Sequence, residues 1–555
     1  MQMTGGQALA QSLKVEGIQT IFALPGIQLD FAVDALWEER DHFSLVHTRH
    51  EQATSYMADG FARTTGEVGT CLVVPGPGLL NAAAGLATAY ACNSPVLCIA
   101  GQIQSDQIGL GRGALHEINR QLETISSVVK QAERASRPEE IPGIVRRAMG
   151  ALHTGRPRPV EIEIPPDVLE RVGDVTLLEP EAWVRSAEHP ADEDALERAA
   201  EMLGRAERPL ICSGGGVLAA AAWEELAELA RILEAPVLMT SNGRGALSDR
   251  DHRAFSGMVA TRELLSKADV VLAVGTRFMV ATNPRLGGSL GKGAQLIQVD
   301  VDPEEVGRNR APTLGIAADA KAALAGLVAR VPRHNRARAS REAELRAIRG
   351  EARRRWSEAT VQAGYGMVLR EELPDDGILV SESTQVGYWC NGGAFPVYEP
   401  RTFLTSGYQG TLGYGFATAL GAQVGNADRK VVSINGDGGF MYNVQELSTM
   451  AQQRIPLVTV VFNDNAYGNV RRIQTLRFNE HVIATELHNP DLVALAEAFG
   501  VAGYRAEGPE AFRTTLRAAL AAGEPALIEV PMPPAAALSG AFPMEPLPPR
   551  PRLGR

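Results

Sequence analysis

The chain of 555 residues contains few cysteines, few aromatic residues and no long apolar run. Its five cysteines, at positions 71, 92, 98, 212 and 390, show no CxxC or metal-ligand spacing, and an odd number suits a reducing compartment better than a disulfide framework. No stretch of about 18 apolar residues occurs, and the N-terminus lacks a basic segment followed by an apolar core. The sequence therefore predicts a cytoplasmic protein.

Basic residues are in the minority, because 54 Lys and Arg stand against 65 Asp and Glu and give a formal net charge of −11. This balance argues against a nucleic-acid or anionic-membrane surface. Two nucleotide-binding motifs are also missing. No GxxxxGKS/T sequence occurs, which disfavours a nucleotide triphosphatase. The glycines after Ser213 lack the GxGxxG spacing, so they indicate a tight strand-to-helix turn rather than a dinucleotide site.

Apolar runs and helical periodicity divide the chain into three α/β blocks. Its length predicts roughly three domains. Short β-branched runs alternate with helical segments, which is typical of parallel sheets covered by helices. We therefore predict three Rossmann-like parallel-sheet domains at residues 1–170, 190–332 and 360–533, followed by a proline-rich tail at residues 534–555.

The sequence between residues 430 and 468 predicts a metal–diphosphate site. Val431–Ile434 and Leu457–Phe462 are predicted strands, and each is followed by an aspartate, Asp437 or Asp464. Because parallel strands end at the same edge of a sheet, both carboxylates can face one ion. Magnesium takes one or two carboxylates plus ligand phosphates, and glycines let backbone N–H groups approach a diphosphate. The alternative is that Gly436-Asp-Gly438 is only a turn.

This order of a strand, GDG, a helix, a second strand and Asn463-Asp-Asn465 resembles the signature of thiamine-diphosphate-dependent enzymes. The resemblance implies that Mg²⁺ is bound by Asp437, by Asp464 in place of the usual asparagine, and by the backbone carbonyl of Ala466. It also implies cofactor contacts from four residues of the same segment, Gly436, Gly438, Gly439 and Tyr467.

A second segment, residues 48–63, runs from a predicted strand into a helix and carries Glu51. Its spacing alone favours a capping box, with Thr48 as N-cap and Glu51 three residues later. The segment also resembles the one in thiamine-diphosphate enzymes whose glutamate hydrogen-bonds the aminopyrimidine ring of the cofactor. A carboxyl group that donates to N1′ there favours loss of the cofactor's C2 proton. For this role Glu51 must be protonated, so burial has to outweigh the helix N-terminus.

Further segments resemble the acetolactate synthase group, which includes benzaldehyde lyase. In that group a bulky apolar residue wedges between the two cofactor rings, and Leu412 holds this position, although a leucine is also typical of a core. The resemblance implies cofactor contacts from residues in the segments 22–27, 75–81, 383–385 and 404–415, namely Pro25, Gly26, Asn81, Gln385, Gly410 and Leu412.

Three positions depart from the acetolactate synthase pattern. His116 replaces a pocket glutamine, and an imidazole that titrates near neutrality can act as acid or base or be merely hydrogen-bonded. Ile473 aligns with the tryptophan that shapes the 2-oxoacid pocket, which favours a larger or different acceptor. The segment 277–281 differs from the flavin-contacting sequence of the group, so the binding of FAD stays open.

We therefore predict a thiamine-diphosphate- and Mg²⁺-dependent enzyme that makes or breaks a C–C bond next to a carbonyl, with Glu51 and His116 as catalytic residues. The leading interpretation is an acetolactate synthase-like carboligase that acts on 2-oxoacids. The alternatives are a benzaldehyde lyase-like 2-hydroxyketone lyase, a 2-oxoacid decarboxylase, and a cofactor-binding protein without catalysis. The resemblance further implies small-molecule substrates and a homodimer or homotetramer with active sites at the subunit interface.

Overall fold

The computed structural model describes residues 1–183, 190–279, 290–538 and 540. These residues form two compact units. The first comprises the described parts of residues 1–186, 406–428 and 443–455, and the second comprises the described parts of residues 187–405, 429–442 and 456–555. No helix in the described ranges has the length and apolarity that crossing a bilayer requires.

The first unit is built on a parallel six-stranded sheet. Its strands are β2 Thr20–Leu24, β3 Ser44–His47, β4 Gly69–Val73, β5 Val96–Gly101, β6 Gln131–Arg134 and β7 Val160–Ile164. They lie in the order β3-β2-β4-β5-β7-β6. A short antiparallel pair joins β1 Gln2–Thr4 to β8 Val172–Asp174. β4 and β5 are buried along their whole length, as expected of parallel strands with both faces covered.

Helices cover this sheet and include two that come from distant parts of the chain. The N-terminal set is α1 Gly5–Val15, α2 Asp30–Glu38, α3 Glu51–Thr65, α4 Pro77–Cys92, α5 Gln121–Ile125, α6 Ile141–His153 and α7 Pro166–Glu170. The distant helices are α16 Tyr414–Gly425 and α18 Leu447–Gln452. The backbones of α16 and α3 are in close contact. A Cβ added at Gly60 of α3 would lie only 1.9 Å from the carbonyl oxygen of Thr418 on α16.

The second unit contains two further sheets, and the one earlier in the chain has the order β11-β10-β9-β12-β13-β14. Its strands are β9 Pro209–Ser213, β10 Val237–Met239, β11 Ala254–Ser256, β12 Val270–Val274, β13 Gln295–Asp300 and β14 Leu314–Ala317. All are parallel. The accompanying helices are α8 Glu193–Arg205, α9 Gly215–Ala219, α10 Trp223–Leu233, α11 Met258–Lys267, α12 Ala320–Arg330 and α13 Glu342–Ser357. The glycines after Ser213 start α9, which confirms the predicted strand-to-helix turn.

The third sheet is parallel as well, with the order β16-β15-β17-β18-β20-β19. Its strands are β15 Ile378–Ser381, β16 Phe403–Leu404, β17 Val431–Gly436, β18 Val458–Asn463, β19 Ala502–Arg505 and β20 Ala526–Pro531. The helices of this part are α14 Thr360–Glu372, α15 Gln385–Trp389, α17 Asp437–Phe440, α19 Gly468–Arg477, α20 Leu492–Ala498 and α21 Pro509–Ala522. Three parallel-sheet layers confirm the predicted fold class.

The first and third sheets share one topology, because their strands, counted in chain order within each sheet, lie as 2-1-3-4-6-5. In each sheet the order reverses next to the first of its strands, between β2 and β4 and between β15 and β17. Ligands of open α/β sheets bind in the crevice outside the carboxyl ends of the strands at such a reversal. The fold therefore directs attention to the loops that follow these strands.

Candidate active site

Glu51 is the first residue of α3 and follows the edge strand β3. Its side chain is buried, and its carboxylate accepts a hydrogen bond from Nδ2 of Asn81 at 3.0 Å. Asn81 lies on α4, and a Cβ at Gly78, near the start of that helix, would lie 3.4 Å from Oε1 of Glu51. The structure thus brings together two of the residues selected from the sequence.

The capping-box interpretation of this segment is wrong. The N-cap of α3 is His50, whose Nδ1 accepts from the Gln52 N–H at 3.2 Å. Thr48 instead continues the strand pairing, since its N–H donates to the carbonyl of Ala23 at 3.1 Å. Its hydroxyl donates to the carbonyl of His50 at 3.0 Å. The Glu51 carboxylate is therefore not used to cap its own helix.

Pro25 and Gly26 follow β2 at the topological reversal. A Cβ at Gly26 would lie 2.5 Å from Cγ1 of Val74, so the loop after β2 lies against the loop after β4. In that second loop Gly76 has a φ of +58° and its N–H donates to Oε1 of Gln121 at 2.8 Å. This close approach fixes the backbone at the start of α4.

Gln121 is a functional candidate for which the sequence carries no signal. The residue is buried, and its Nε2 donates to the carbonyl of Gly101 and to Oε2 of Glu163, both at 2.9 Å. Glu163 accepts a further hydrogen bond from Gln102 at 2.9 Å. This buried network ties the Gly76 loop to β5 and β7, although its members are far apart in the chain.

His116 lies at the same end of this sheet, in a backbone conformation with a φ of +69°. Its Nδ1 is 3.1 Å from Oε1 of Gln28, and Nε2 of Gln28 donates to the carbonyl of Leu115 at 3.2 Å. Because an amide oxygen only accepts, Nδ1 of His116 is the donor in this pair. Nε2 of His116 is then the ring nitrogen that can accept a proton.

Leu412 and Gly410 lie in the loop before α16, which belongs to the same unit as Glu51. Gly410 has a φ of +61°, and a Cβ there would meet no atom within 4 Å. The hydroxyl groups of Thr411 and of Tyr56 on α3 form a hydrogen bond of 3.3 Å, in which either group can be the donor. Leu412 is partly exposed rather than part of a core.

The two aspartates selected as metal ligands lie at adjacent strand ends in the second unit. Asp437 opens α17 directly after β17, and Asp464 follows β18. The two strands pair in register, with Gly436 opposite Phe462. Burial raises the pKa of Asp437. Burial and, after it, the negative charge of Asp437 raise the pKa of Asp464 to about 6.

A cation fits this pair, because the carboxylates of buried Asp437 and partly buried Asp464 repel each other and a positive charge stabilises both. No group of three His, Cys, Asp or Glu side chains suited to a metal occurs among the described residues. Backbone carbonyls, amide side chains, water and the oxygens of a bound molecule are the other kinds of ligand that a hard cation takes. Ala466, whose carbonyl is the third predicted ligand, is buried and forms an isolated β-bridge with Glu486.

The glycines next to Asp437 are needed because side chains already fill the space around them. A Cβ at Gly438 would lie 2.7 Å from Cε1 of Tyr467, and a Cβ at Gly439 would lie 1.8 Å from Oε1 of Glu382. Gly436 ends β17 and Asp437 opens α17, so GDG is a strand end followed by a helical turn rather than only a turn. Gln385 begins α15 after β15, on the other side of the topological reversal.

Asn489 is a second residue that sequence patterns do not reveal. Its Nδ2 lies 2.6 Å from Oδ2 of Asp437, 3.1 Å from Oδ1 of Asn463 and 3.2 Å from Oδ1 of Asn465. One amide group thus links the ends of both strands. The fold brings Asn489 to this position, although it lies 52 residues beyond Asp437 in the chain.

The remaining departures from the acetolactate synthase pattern lie in the second unit. Ile473 is on α19 and is partly exposed. Of the segment 277–281, Val280 and Ala281 lie outside the described residues, as does most of the proline-rich tail. Phe278 is buried and belongs to an apolar cluster with residues of β12.

Comparison with known proteins follows the same three-part division. Family models described as the N-terminal TPP binding domain, the central domain and the C-terminal TPP binding domain of thiamine pyrophosphate enzymes match residues 3–124, 196–327 and 383–530. Thiamine pyrophosphate is thiamine diphosphate under its other name.

Full-length relatives are also similar. The chain is 34% identical to a probable acetolactate synthase large subunit of Methanocaldococcus jannaschii, covering 97% of this chain and 93% of the relative. It is 34% identical to a probable 2-ketoarginine decarboxylase of Pseudomonas aeruginosa, covering 95% and 94%, and 32% identical to an acetolactate synthase of Arthrospira platensis, with the same coverage. Matches to all three domains and to relatives along almost their whole length establish that the chain belongs to the thiamine pyrophosphate enzyme family.

Proposed function

We propose that this enzyme is an acetolactate synthase-like carboligase, which joins the carbon skeleton of a decarboxylated 2-oxoacid to a second carbonyl compound. The observation that carries the proposal is the buried carboxylate of Glu51, bonded to Asn81 at the start of α3. Two of the relatives named above are acetolactate synthases, and their similarity runs through the whole chain. Thiamine diphosphate, when bound, supplies the carbon nucleophile for such a reaction.

The residues of this chain would bind the cofactor at its two ends. Glu51 would hold a proton between its carboxyl group and N1′ of the aminopyrimidine, with Asn81 fixing the orientation of that carboxyl group. Asp437, Asp464 and the carbonyl of Ala466 would bind Mg²⁺, which in turn binds the diphosphate. Gly436, Gly438 and Gly439 would contact the diphosphate.

The remaining selected residues would shape the ring and substrate ends of the site. Pro25, Gly26, Gly410 and Leu412 would contact the cofactor rings, and Gln385 and Tyr467 the diphosphate. His116 would exchange a proton with the substrate through Nε2, because Gln28 occupies Nδ1.

A second candidate function is decarboxylation of a 2-oxoacid without ligation. One relative of equal identity is a probable 2-ketoarginine decarboxylase. His116 supports this alternative too, since an imidazole can supply the proton that replaces the lost carboxyl group. A 2-hydroxyketone lyase remains a third possibility within the same cofactor chemistry.

Product analysis separates these functions. The purified enzyme is incubated with thiamine diphosphate, Mg²⁺ and pyruvate, alone and with a panel of aldehydes and 2-oxoacids, and the products are identified by mass spectrometry. A carboligase yields products that contain both carbon skeletons, whereas a decarboxylase yields aldehydes alone. A lyase instead cleaves 2-hydroxyketones. Spectroscopy of the purified protein shows in the same preparation whether FAD is bound.

We also propose a homodimer or homotetramer in which the pyrimidine-binding part of one chain faces the diphosphate-binding part of another. Exposed apolar side chains that lie close in sequence to the predicted site residues are consistent with this assembly, because contact surfaces between subunits bury apolar side chains. They are Ile27, Leu80 and Leu115 in the first unit and Tyr442, Val470 and Ile483 in the second.

Mixing two inactive variants tests this assembly. Glu51→Gln and Asp437→Ala are combined under conditions that exchange subunits, and mass spectrometry verifies that mixed oligomers form. Sites shared between chains restore activity, because one site of each mixed dimer keeps both residues. Mixed oligomers that stay inactive place Glu51 and Asp437 of each site in one chain.

We also propose a cytoplasmic location and a division of the chain into domains at residues 1–170, 190–332 and 360–533, with a tail at residues 534–555.

A further inference from the structure

A buried carboxylate that has no role in the proposed site holds the chain directly before Glu51. Glu446 is completely buried at the end of the 3₁₀ turn Val444–Glu446. Both of its carboxylate oxygens accept from the backbone N–H of Arg49, each at 3.1 Å. The backbone N–H of His50 also donates to this carboxylate. Glu446 therefore binds two of the three residues that connect β3 to α3.

These contacts hold the backbone directly before α3. Backbone N–H groups at a helix N-terminus have no partner within the helix, and a buried one that stays unpaired is costly. His50 is the N-cap and Glu51 is the next residue. Any shift of the bond between Arg49 and Glu446 consequently moves the Glu51 side chain.

The groups around Glu446 are all donors. Besides Arg49 and His50, the hydroxyl of Thr449 donates at 2.6 Å, and Nε2 of Gln445 lies at 3.5 Å. A carboxylate can accept all of these bonds, whereas a glutamine at this position places an NH₂ group against another donor. The carboxylate therefore matches these donors better than a glutamine side chain does.

The segment that carries Glu446 also contacts the chain next to Leu412. Nδ2 of Asn443 donates to the carbonyl of Gly413 at 2.5 Å. At the other end of the segment, Oε1 of Gln452 lies 3.1 Å from Nε2 of His47, the last residue of β3. The segment 443–452 thus fixes the loop before α16 as well as the segment before α3.

We propose that Glu446 is a positioning residue, which sets the orientation of the Glu51 carboxyl group by binding the backbone of Arg49 and His50. The inference rests on the proposed function, since Glu51 is the group through which Glu446 acts. Loss of the Glu446 carboxylate would leave the fold in place and misplace the proton held by Glu51.

The first test uses the cofactor-free protein. Hydrogen–deuterium exchange of the backbone amides, resolved to peptides covering residues 46–56, is compared between wild type and Glu446→Gln. We expect exchange of the Arg49 and His50 amides to accelerate about tenfold or more, because the side chain that accepts from them loses its negative charge and one of its two acceptor oxygens. Protection that is unchanged in the variant would overturn the proposal.

The second test measures the exchange rate of the cofactor's C2 proton at saturating thiamine diphosphate and Mg²⁺. We expect Glu446→Gln to slow this exchange about tenfold, since a small misplacement of a catalytic group is costly. Glu446→Asp keeps the charge but shortens the side chain and should fall between wild type and Glu446→Gln. It also keeps the test decisive if the glutamine variant does not fold.

Two controls separate positioning from general destabilisation. Thr64→Val removes a buried hydroxyl at the far end of α3, which donates to the Gly60 carbonyl at 2.8 Å, and should lower the melting temperature without slowing C2 exchange. In a Glu51→Gln background, Glu446→Gln should have no further effect on C2 exchange. An equal further loss there, or normal exchange in folded Glu446→Gln, would make Glu446 merely structural.

The C2 exchange rate of the wild-type protein shows separately whether the proposed function is wrong. If wild-type protein itself does not accelerate C2 exchange, Glu51 has no such role, whatever the variants do. Amide protection at Arg49 and His50 would still report whether Glu446 holds the segment before α3.

Discussion

The contact between α3 and α16 yields a prediction whose size follows from the structure. A Cβ at Gly60 would lie 1.9 Å from the Thr418 carbonyl oxygen, and a Cβ at Gly421 would lie 1.9 Å from that of Met57. A carbon–oxygen contact shorter than 3.0 Å is essentially never seen. The two helices must therefore separate by roughly 1 Å to admit alanine at either position, since backbone lies on both sides.

Separating the two helices costs more free energy than the higher helix propensity of alanine provides. Overpacking of a close backbone contact costs about 1–3 kcal/mol, with the upper end expected where only backbone can move. Alanine recovers about 0.5–1 kcal/mol relative to glycine in a helix interior. We therefore expect Gly60→Ala to lower the free energy of unfolding of the first unit by about 2 kcal/mol, or its melting temperature by about 4–8 °C.

Activity should fall as well, because α3 carries Glu51 and α16 follows the Leu412 loop. A displacement of about 1 Å at a catalytic group can cost about a hundredfold in rate. Scanning calorimetry and steady-state kinetics measure the two effects on the same protein.

Gly350→Ala is the matched control. Gly350 lies in the interior of α13, and a Cβ there would meet no atom within 4 Å. The same substitution should stabilise the protein by about 0.5–1 kcal/mol at this site. If Gly60→Ala and Gly421→Ala also raise the melting temperature, the close contact between α3 and α16 is refuted.

Two further predictions concern single carboxyl groups of the first unit. Glu51→Gln should slow C2 proton exchange of bound cofactor by about 10²–10⁴-fold while the protein stays folded, and a wild-type rate in that variant would remove Glu51 from the mechanism. Glu161 is completely buried on β7, neither of its carboxylate oxygens has a hydrogen-bond partner among the described residues, and burial raises its pKa well above the ordinary value of 4.5. Because the pKa of Glu161 is raised in the folded protein, its contribution to stability is present at pH values below the ordinary pKa and is lost as the pH rises through the raised pKa. Glu161→Met should therefore increase the free energy of unfolding by about 1–3 kcal/mol near pH 8 and by less near pH 4. Melting temperatures that are equally affected at both pH values would contradict this reasoning.

Much of the fold was predictable because its central strands are buried on both faces. β4, β5 and β12 are continuous apolar runs, which a sequence displays directly. The polar edge strand β6 Gln131–Arg134 has no such run, so apolar runs do not predict it. The predicted helix after GDG begins as a 3₁₀ turn and becomes α18 only at Leu447.

The candidate site was predictable where its residues lie close to glycine-rich strand ends. Glu51 and Asn81 were selected separately and are hydrogen-bonded in the structure. Gln121, Asn489 and Glu446 could not be found in this way, because each contacts the site through a hydrogen bond to a residue distant in sequence. The N-cap of α3 was misplaced because Thr48 is still paired with β2, a contact that local spacing does not reveal.

Calorimetric titration of thiamine diphosphate into the purified protein tests whether Asp437 binds the cofactor through a metal ion. We expect binding in the presence of Mg²⁺, no binding with a chelator, and no binding to Asp437→Ala, because the loss of one of two carboxylates leaves too few ligands to hold the ion. Asp319→Ala is the control, since it removes an aspartate that caps α12 and should leave the affinity unchanged. An affinity for thiamine diphosphate that is the same in Asp437→Ala as in wild type would show that Asp437 does not bind the cofactor through a metal ion.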